Sequence, residues 1–233
     1  MDTASLLGAV RSPVDVPSLA CWIRAAVHPF DGPLNISQFS HGQSNPTYRL
    51  DFADGHPSLV LRKKPDGPTL PSAHAVEREF RVLTALHAHS TVPVPRPVAL
   101  CEDVAVLGVA FYLMAFVPGR VFLESHLPQL SPAERFGVYA AMVDALARIH
   151  AFDWKAAGLA DFSRPGGYAG RQVKRWTLQS AMAAAALAGA GEAPSPALDS
   201  LGEWLAARAG EMDVQAGAPV LVHGDFRLDN LGA

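Results

Sequence analysis

The hydrophobic period changes along this chain, and that change limits the architectures open to it. From Leu34 the apolar residues recur at about every second position: Ile36 and Phe39, then Tyr48, Leu50 and Phe52, then Leu59, Val60 and Leu61. Turn residues at Gly42 to Pro46 and at Asp51 to His56 separate them, so the region predicts a meander of two or three strands. Past Val117-Pro118-Gly119 the period becomes helical. Ser131-Pro132-Ala133-Glu134 is a capping box with Pro at the first helical position, and it opens a stripe of Phe136, Tyr139, Val143, Leu146 and His150. That helix should form the core of a second lobe, with His150 a structural histidine at the stripe's end. Further helices are expected from Arg171 to about Leu187 and from about Ala197 to Ala209. The fold class that follows is α+β. Residues 1–33 form an N-terminal arm with an amphipathic helix around Leu19, Trp22, Ile23 and Val27; a small sheet lobe spans 34–117 and a mostly helical lobe 118–233.

Composition narrows the partners. A chain of 233 residues with 49% hydrophobic content buries a sizeable core. The net charge of -3 and pI near 6.3 give no basic field for a phosphate backbone, which argues against nucleic acid. Cys21 and Cys101 lie far apart and Met1 to Leu7 has no basic leader region, so a reducing cytoplasm is the expected compartment. The longest uncharged runs, Val104 to Val117 and Thr177 to Gly191, are shorter than the roughly 20 residues of a spanning helix, so no membrane partner is expected.

Chemistry concentrates at the end of the chain. Leu221-Val222 reads as a short strand running into His223-Gly224-Asp225, with Asn230 five residues after Asp225. A carboxylate at Asp225 can accept the proton of an attacking hydroxyl, and Asn230 can offer its amide oxygen to a magnesium ion that also holds nucleotide phosphates, as in the catalytic loops of kinases. The same letters also suit an Asx turn or half of a metal-hydrolase site.

Three upstream features bear on a nucleotide. The turn Ser40-His41-Gly42-Gln43-Ser44-Asn45-Pro46 is built of small polar residues, so its amides and the Ser44 hydroxyl can approach phosphate oxygens, although a hairpin needs the same residues for conformational reasons. Glu79 lies inside the apolar stripe Val76, Leu83, Leu86 of a helix expected from Ser72, its N-cap, to about His87. It needs a cation there, and the preceding strand ends in Arg62-Lys63-Lys64; the other reading sets it at the stripe's edge beside Arg78 or solvent. Glu77 and Arg81 fall on another face and read as solvated. Finally, a buried strand from Ala110 to Phe116 runs into the hinge Val117-Pro118-Gly119, where exposed main chain can meet a flat heterocycle, as any linker can.

In this order the pieces resemble the aminoglycoside phosphotransferase family, which has a two-lobed protein-kinase-like fold. Gly42-Gln43-Ser44-Asn45-Pro46-Thr47-Tyr48, Leu61-Arg62-Lys63-Lys64-Pro65 and Phe116-Val117-Pro118-Gly119-Arg120-Val121-Phe122 are similar to the subgroup found fused to acyl-CoA dehydrogenases. The resemblance runs from about Phe39 to the end. It implies transfer of the γ-phosphoryl of ATP, with Mg2+, to a hydroxyl of a small molecule, of a hydroxyacyl-CoA or other non-antibiotic type. By position, Asp225 would be the catalytic base and Asn230 a magnesium ligand. Arg62, or else Lys63, would pair with Glu79, Ser44 would cover the phosphates, and the main chain at Ala115 and Val117 would meet adenine. His223 would brace the loop. A fused or partner acyl-CoA dehydrogenase is also implied.

One departure from the family pattern counts. The family's second metal-binding Asp, usually in an Asp-Trp-Glu type turn, follows the catalytic loop at a distance, whereas here Ala233 comes three residues after Asn230. The expectation is a C-terminally incomplete helical lobe and a chain with little or no turnover by itself. The alternative function is a nucleotide-binding pseudokinase or interaction domain. A metal-dependent hydrolase on His223 and Asp225 would need further ligands that the other histidines do not supply.

Overall fold

The computed structural model describes residues 2–40, 45–67, 75–162, 166–189, 195–215 and 217–232. They fall into two compact units, one of Met1–Leu159 with Leu221–Ala233, the other of Ala160–Val220.

The first unit is built on a six-stranded antiparallel sheet, in which the expected meander from Leu34 to Lys63 is extended by strands on both sides. In chain order its strands are β1 (Leu7–Gly8), β2 (Leu34–Phe39), β3 (Thr47–Phe52), β4 (Leu59–Lys63), β5 (Pro97–Cys101) and β6 (Phe111–Ala115), and across the sheet the order is β1-β2-β3-β4-β6-β5. Pro97 has no N–H to give a ladder, which suits the edge position of β5. Before β6 comes a single helical turn, α3 (Val104–Leu107), closed by Gly108 at φ 78°, a left-handed value that Gly adopts without a Cβ penalty.

Each face of the sheet carries a helix. On one side lies α1 (Val16–Ala26), started by Asp15, whose side chain accepts the Ser18 N–H at 3.0 Å, with a Pro in the first turn. Leu19, Ala20 and Ile23 of α1 are buried with Tyr48, Leu50, Leu61, Phe111 and Leu113 of the sheet. Each such aliphatic side chain contributes roughly 1.5–3 kcal/mol on burial. Part of the expected N-terminal arm is therefore sheet-lobe core. On the other side lies α2 (Val76–His89), where Val76 packs with Ala110 and Tyr112, and Phe80, Leu83 and Met114 close the layer. Ala75 is the N-cap of α2 and makes no side-chain cap bond; the helix starts later than the sequence suggested, and Ser72 lies outside the described residues.

Beyond the sheet, α4 (Pro132–His150) opens on the predicted capping box, in which Ser131 and Glu134 satisfy each other's backbone N–H groups. Its apolar stripe does not build a core. Phe136 is 76% and Val143 65% exposed, and Ile149 is the buried residue of the helix. A stripe is buried only where a complementary surface lies on it, and no described element of the same unit covers this one. His150 is exposed. The second unit is an antiparallel-type pairing of long helices in contact, α5 (Tyr168–Gly189) and α6 (Pro196–Gln215), where Asp213 accepts the N–H groups of Ala169 and Gly170 at 2.7 and 3.2 Å. No described helix is long and apolar enough to cross a membrane.

Candidate active site

Strand register decides which cation meets Glu79. Successive side chains of a strand point to opposite faces, so Arg62 and Lys63 cannot share one. Arg62 stands opposite Thr47 of β3 and Tyr112 of β6, forming a polar row across three strands on the α2 face. Its Nε donates to Glu79 Oε2 at 2.7 Å, while Nη1 lies 3.3 Å from Thr47 Oγ1. Lys63 points the other way. It is 2% exposed and donates to both carboxylate oxygens of Asp66 at 2.7 and 2.8 Å, and to the Pro13 carbonyl at 3.4 Å.

Two further donors hold the Glu79 carboxylate, neither expected from the sequence. Asn45 Nδ2 donates to Oε1 at 2.8 Å, and the Tyr112 hydroxyl donates to Oε2 at 3.2 Å. Burial, and then the Glu79 charge, push the Tyr112 pKa far above its ordinary value, so it remains a donor. The sequence signal was there for Tyr112: a hydroxyl in the apolar run Phe111-Tyr112-Leu113 needs a buried partner. Asn45 is only 3% exposed, so its bond to Glu79 ties the residues leading into β3 to α2. Ser44 itself lies outside the described residues. The charges expected to be solvated are engaged too: Glu77 pairs with Lys64, and Arg81 Nη2 donates to the Gly158 carbonyl at 2.7 Å. Both contacts draw α2 onto neighbours that its sequence periodicity does not reveal.

At the hinge, Ala115 donates its N–H to the Arg96 carbonyl at 2.8 Å, and Phe116 donates to Ser58 at 3.1 Å. Val117, just beyond the ladder, is exposed and its N–H has no acceptor among the described residues.

The terminal loop is compact without being a strand. Leu221 and Val222 join no ladder, which corrects the expected strand: an extended segment becomes a strand only beside a partner, and the described residues provide one bridge here, Val121 to Gly232. Gly224 turns at φ 87°, and the Asp225 N–H donates to His223 Nδ1 at 3.3 Å, as a bracing histidine should accept it. Leu228 is buried and anchors a 3-10 turn over Leu228–Asn230. Asn230 Nδ2 donates to the Asp225 carbonyl and to its Oδ2, both at 2.9 Å. With the amide nitrogen so committed, Oδ1 is the atom left to a metal. Arg227 Nε lies 2.9 Å from Asp229 Oδ1 and 3.4 Å from Asp225 Oδ1; Arg227 and Asp225 are exposed and Asp229 is half-buried.

Two pairs named in the sequence therefore meet, Arg62 with Glu79 and Asp225 with Asn230, on a sheet-and-helix scaffold of phosphotransferase type. A model of the phosphotransferase enzyme family (APH) matches residues 35–231. The chain belongs to this family. Acyl-CoA dehydrogenase family member 10 of Mus musculus is 47% identical over 201 residues, covering 86% of this chain and 17% of the relative. Acyl-CoA dehydrogenase family member 11 of Homo sapiens is 41% identical over 201 residues, covering 86% and 24%. The chain thus spans about a quarter or less of these curated relatives. A crystal structure from Ralstonia eutropha JMP134, solved under the provisional name aminoglycoside phosphotransferase, superposes with a TM-score of 0.70 at 41% identity. That match covers 95% of this chain and 61% of the other, and it gives this family member the kinase-like fold.

A phosphotransferase of this type generally works with ATP and Mg2+, and the donor set suits a hard cation. Magnesium takes oxygen ligands and is usually held by one or two side chains together with substrate phosphates. The Asn230 amide oxygen is such a ligand atom. Among the described residues no group of three or more His, Cys, Asp or Glu side chains could hold a metal.

Proposed function

We propose that this phosphotransferase-family chain carries the nucleotide site and catalytic loop of a kinase that moves the γ-phosphoryl group of ATP to a hydroxyl of a small molecule. The observation that carries the reading is the double hydrogen bond from Asn230 to Asp225, which ties a base and a metal-ligand oxygen into one turn.

In this reading Asp225 accepts the proton of the attacking hydroxyl, a role worth on the order of 10²- to 10⁴-fold in rate. Arg62, steered by Glu79, turns its remaining guanidinium N–H groups to the α- and β-phosphates. The Ala115 carbonyl and the Val117 N–H bracket the adenine edge, one accepting and one donating, and Ser44 covers the phosphates. Asn230 Oδ1 ligates the metal, which when bound neutralises charge on the phosphates. Catalysis of this kind is mostly positioning and electrostatic stabilisation. The acceptor is a hydroxylated acyl-CoA-type metabolite, a reading supported by relatives named as acyl-CoA dehydrogenase family members. The dehydrogenase is then a fused or partnering activity, and the compartment is the cytoplasm.

In this reading residues 1–233 by themselves bind nucleotide and turn it over little. Isothermal titration with ATP, with and without Mg2+, tests the binding: saturable, magnesium-strengthened binding that Asn230→Ala weakens supports the reading, and no binding removes it. Robust phosphorylation by this polypeptide, lost in Asp225→Asn, would overturn the expectation of low turnover while upholding the site.

A further inference from the structure

The sheet face that carries Arg62 holds a second guanidinium. Side chains two apart on a strand share a face, so Arg49, two residues after Thr47 on β3, points to the same side as Arg62, which stands opposite Thr47 and bonds it. The cross-strand neighbour of Arg49 is Val60 of β4, and beyond it lies Met114 of β6. This row is about 7 Å along the strands from the row of Thr47, Arg62 and Tyr112, on the side where β6 runs into the hinge. On the same face α2 packs through Tyr112 and Met114; Arg49 lies outside that cluster, and its side chain is 23% exposed. Three neighbours fix it. Arg49 Nε donates to Asp51 Oδ1 at 2.9 Å, with Nη2 equally close to that oxygen, and Nη2 also donates to Ser58 Oγ at 3.3 Å. Its Cζ sits over the Phe116 ring, 4.4 Å from the centroid. Ser58 serves both sides of this stack, because its carbonyl accepts the Phe116 N–H at 3.1 Å and its hydroxyl donates to Asp51.

A guanidinium is a flat cation with two faces and a rim of donors. In Arg49 the Nε and Nη2 rim is occupied by Asp51 and Ser58, and one face is occupied by Phe116, so what remains is the second face and Nη1, which has no acceptor among the described residues. We propose that Arg49 is the base-stacking platform of the nucleotide site, its second face lying on the purine ring whose edge meets the main chain at Val117, one residue past Phe116. A cation over an aromatic face is attracted by the ring's electrons, and the planar guanidinium adds stacking that an ammonium lacks. The spacing agrees with this division of labour. With Arg62 on the α- and β-phosphates, a base on the Arg49 row leaves the length of a ribose between the two rows, and the hinge lies on the base side. Phe116, Asp51 and Ser58 touch Arg49 rather than the nucleotide and are positioning residues.

The inference rests on the nucleotide reading, and one titration set separates them. Affinities of the full chain for Mg-ATP, adenosine and inorganic tripolyphosphate are measured by calorimetry for the wild type, Arg49→Lys and Arg49→Ala. Arg49→Lys keeps the charge and loses the plane; Arg49→Ala loses both. A cation stacked on an aromatic face, at ordinary strength, converts to about fivefold in affinity. Both variants should therefore weaken adenosine and Mg-ATP by about fivefold and leave tripolyphosphate within about twofold of wild type. Three results overturn the proposal. If Arg49→Ala keeps adenosine within about twofold, or the variants lose all three ligands equally, Arg49 is only a structural ion pair on the sheet. If Arg49→Lys binds adenosine as the wild type does, the charge acts there without a stacked plane and the platform is refuted. If the wild type binds none of the three ligands, the nucleotide reading itself fails and takes the role of Arg49 with it.

Discussion

Glu79 Oε2 receives Arg62 Nε at 2.7 Å, on a carboxylate that Asn45 and Tyr112 also hold. The pair joins α2 to the middle of the sheet and sets which guanidinium nitrogens face outward. Arg62→Lys removes the fork that lets one residue bond Glu79 and a phosphate together, because a lysine is a single point charge. Both partners are about a third exposed, so the pair's own worth to folding is small, about 1 kcal/mol or less. Arg62→Lys and Glu79→Gln should each lower ATP affinity by roughly tenfold, as charge-assisted bonds to phosphate allow, and shift the urea midpoint little. Titration calorimetry alongside urea unfolding checks both halves.

Asp225→Asn keeps the acceptor for Asn230 while removing the basic oxygen. Its side chain is exposed, so stability should stay within about 0.5 kcal/mol of wild type. Phosphoryl transfer should fall by about 10²- to 10⁴-fold with ATP affinity nearly kept. Asn230→Ala should do the reverse in part, weakening magnesium-dependent binding. A single-turnover assay paired with binding separates the two.

How far the sequence disclosed this molecule depends on whether a signal is local. Alternation announced β2 to β4, and the Val117-Pro118-Gly119 hinge marked the end of β6, because pleat and turn chemistry are written in neighbouring residues. Asp225 and Asn230 were legible for the same reason, lying five apart in one turn. Glu79 announced a partner by standing in an apolar stripe, but Arg62 and Lys63 were separated only by register, which pairs β4 with β3 and β6 across long loops. The bond from Asn45 to Glu79 was hidden because it joins segments remote in sequence. The stripe of α4 misled: periodicity shows that a face is apolar, and packing alone decides whether it is covered.

That exposed stripe gives a stability prediction. Phe136→Ser and Val143→Lys each remove apolar surface already in water, so unfolding of the chain should move by no more than about 0.5 kcal/mol. Ile149→Ala on the same helix is buried and should cost about 2–5 kcal/mol. Urea unfolding monitored by circular dichroism compares the three directly; equal losses for Phe136 and Ile149 would place a cover on the stripe.

Buried Lys63 supplies the next case. Asp66 is 53% exposed, and its two bonds from Lys63 hold its pKa below the usual carboxylate value. Asp66→Ala strands an ammonium that the sheet has already desolvated. Solvent at the Asp66 side discounts the full penalty of an orphaned buried charge, leaving a loss of about 1–2 kcal/mol. Lys63→Met with Asp66→Ala should recover most of it, since a thioether of similar length fits the buried path without a charge. A double-mutant cycle in urea gives the coupling, and a double variant as unstable as Asp66→Ala would deny the charge its part.

Acid titration tests a different carboxylate. Asp54 accepts the Asp31 N–H at 2.8 Å and pairs with His56, and these bonds, the backbone one first, lower its pKa from 3.8 to about 2. A group whose folded pKa is depressed binds fewer protons folded than unfolded between the two values. Its stabilising contribution is therefore complete above about pH 3.8 and is lost as pH falls through that window towards 2. Asp66, also lowered, adds a loss of the same sign. His56 stacks on His28 with ring centroids 4.5 Å apart, so its place beside Asp54 is fixed by the aromatic cluster around Phe52. Asp54→Asn should flatten the acid limb of the urea-midpoint profile without moving it near neutral pH. Trp22, packed edge-on against Phe111 in the sheet lobe core, reports that unfolding by its fluorescence. An acid limb as steep in Asp54→Asn as in the wild type would show that the loss of stability belongs to other carboxylates.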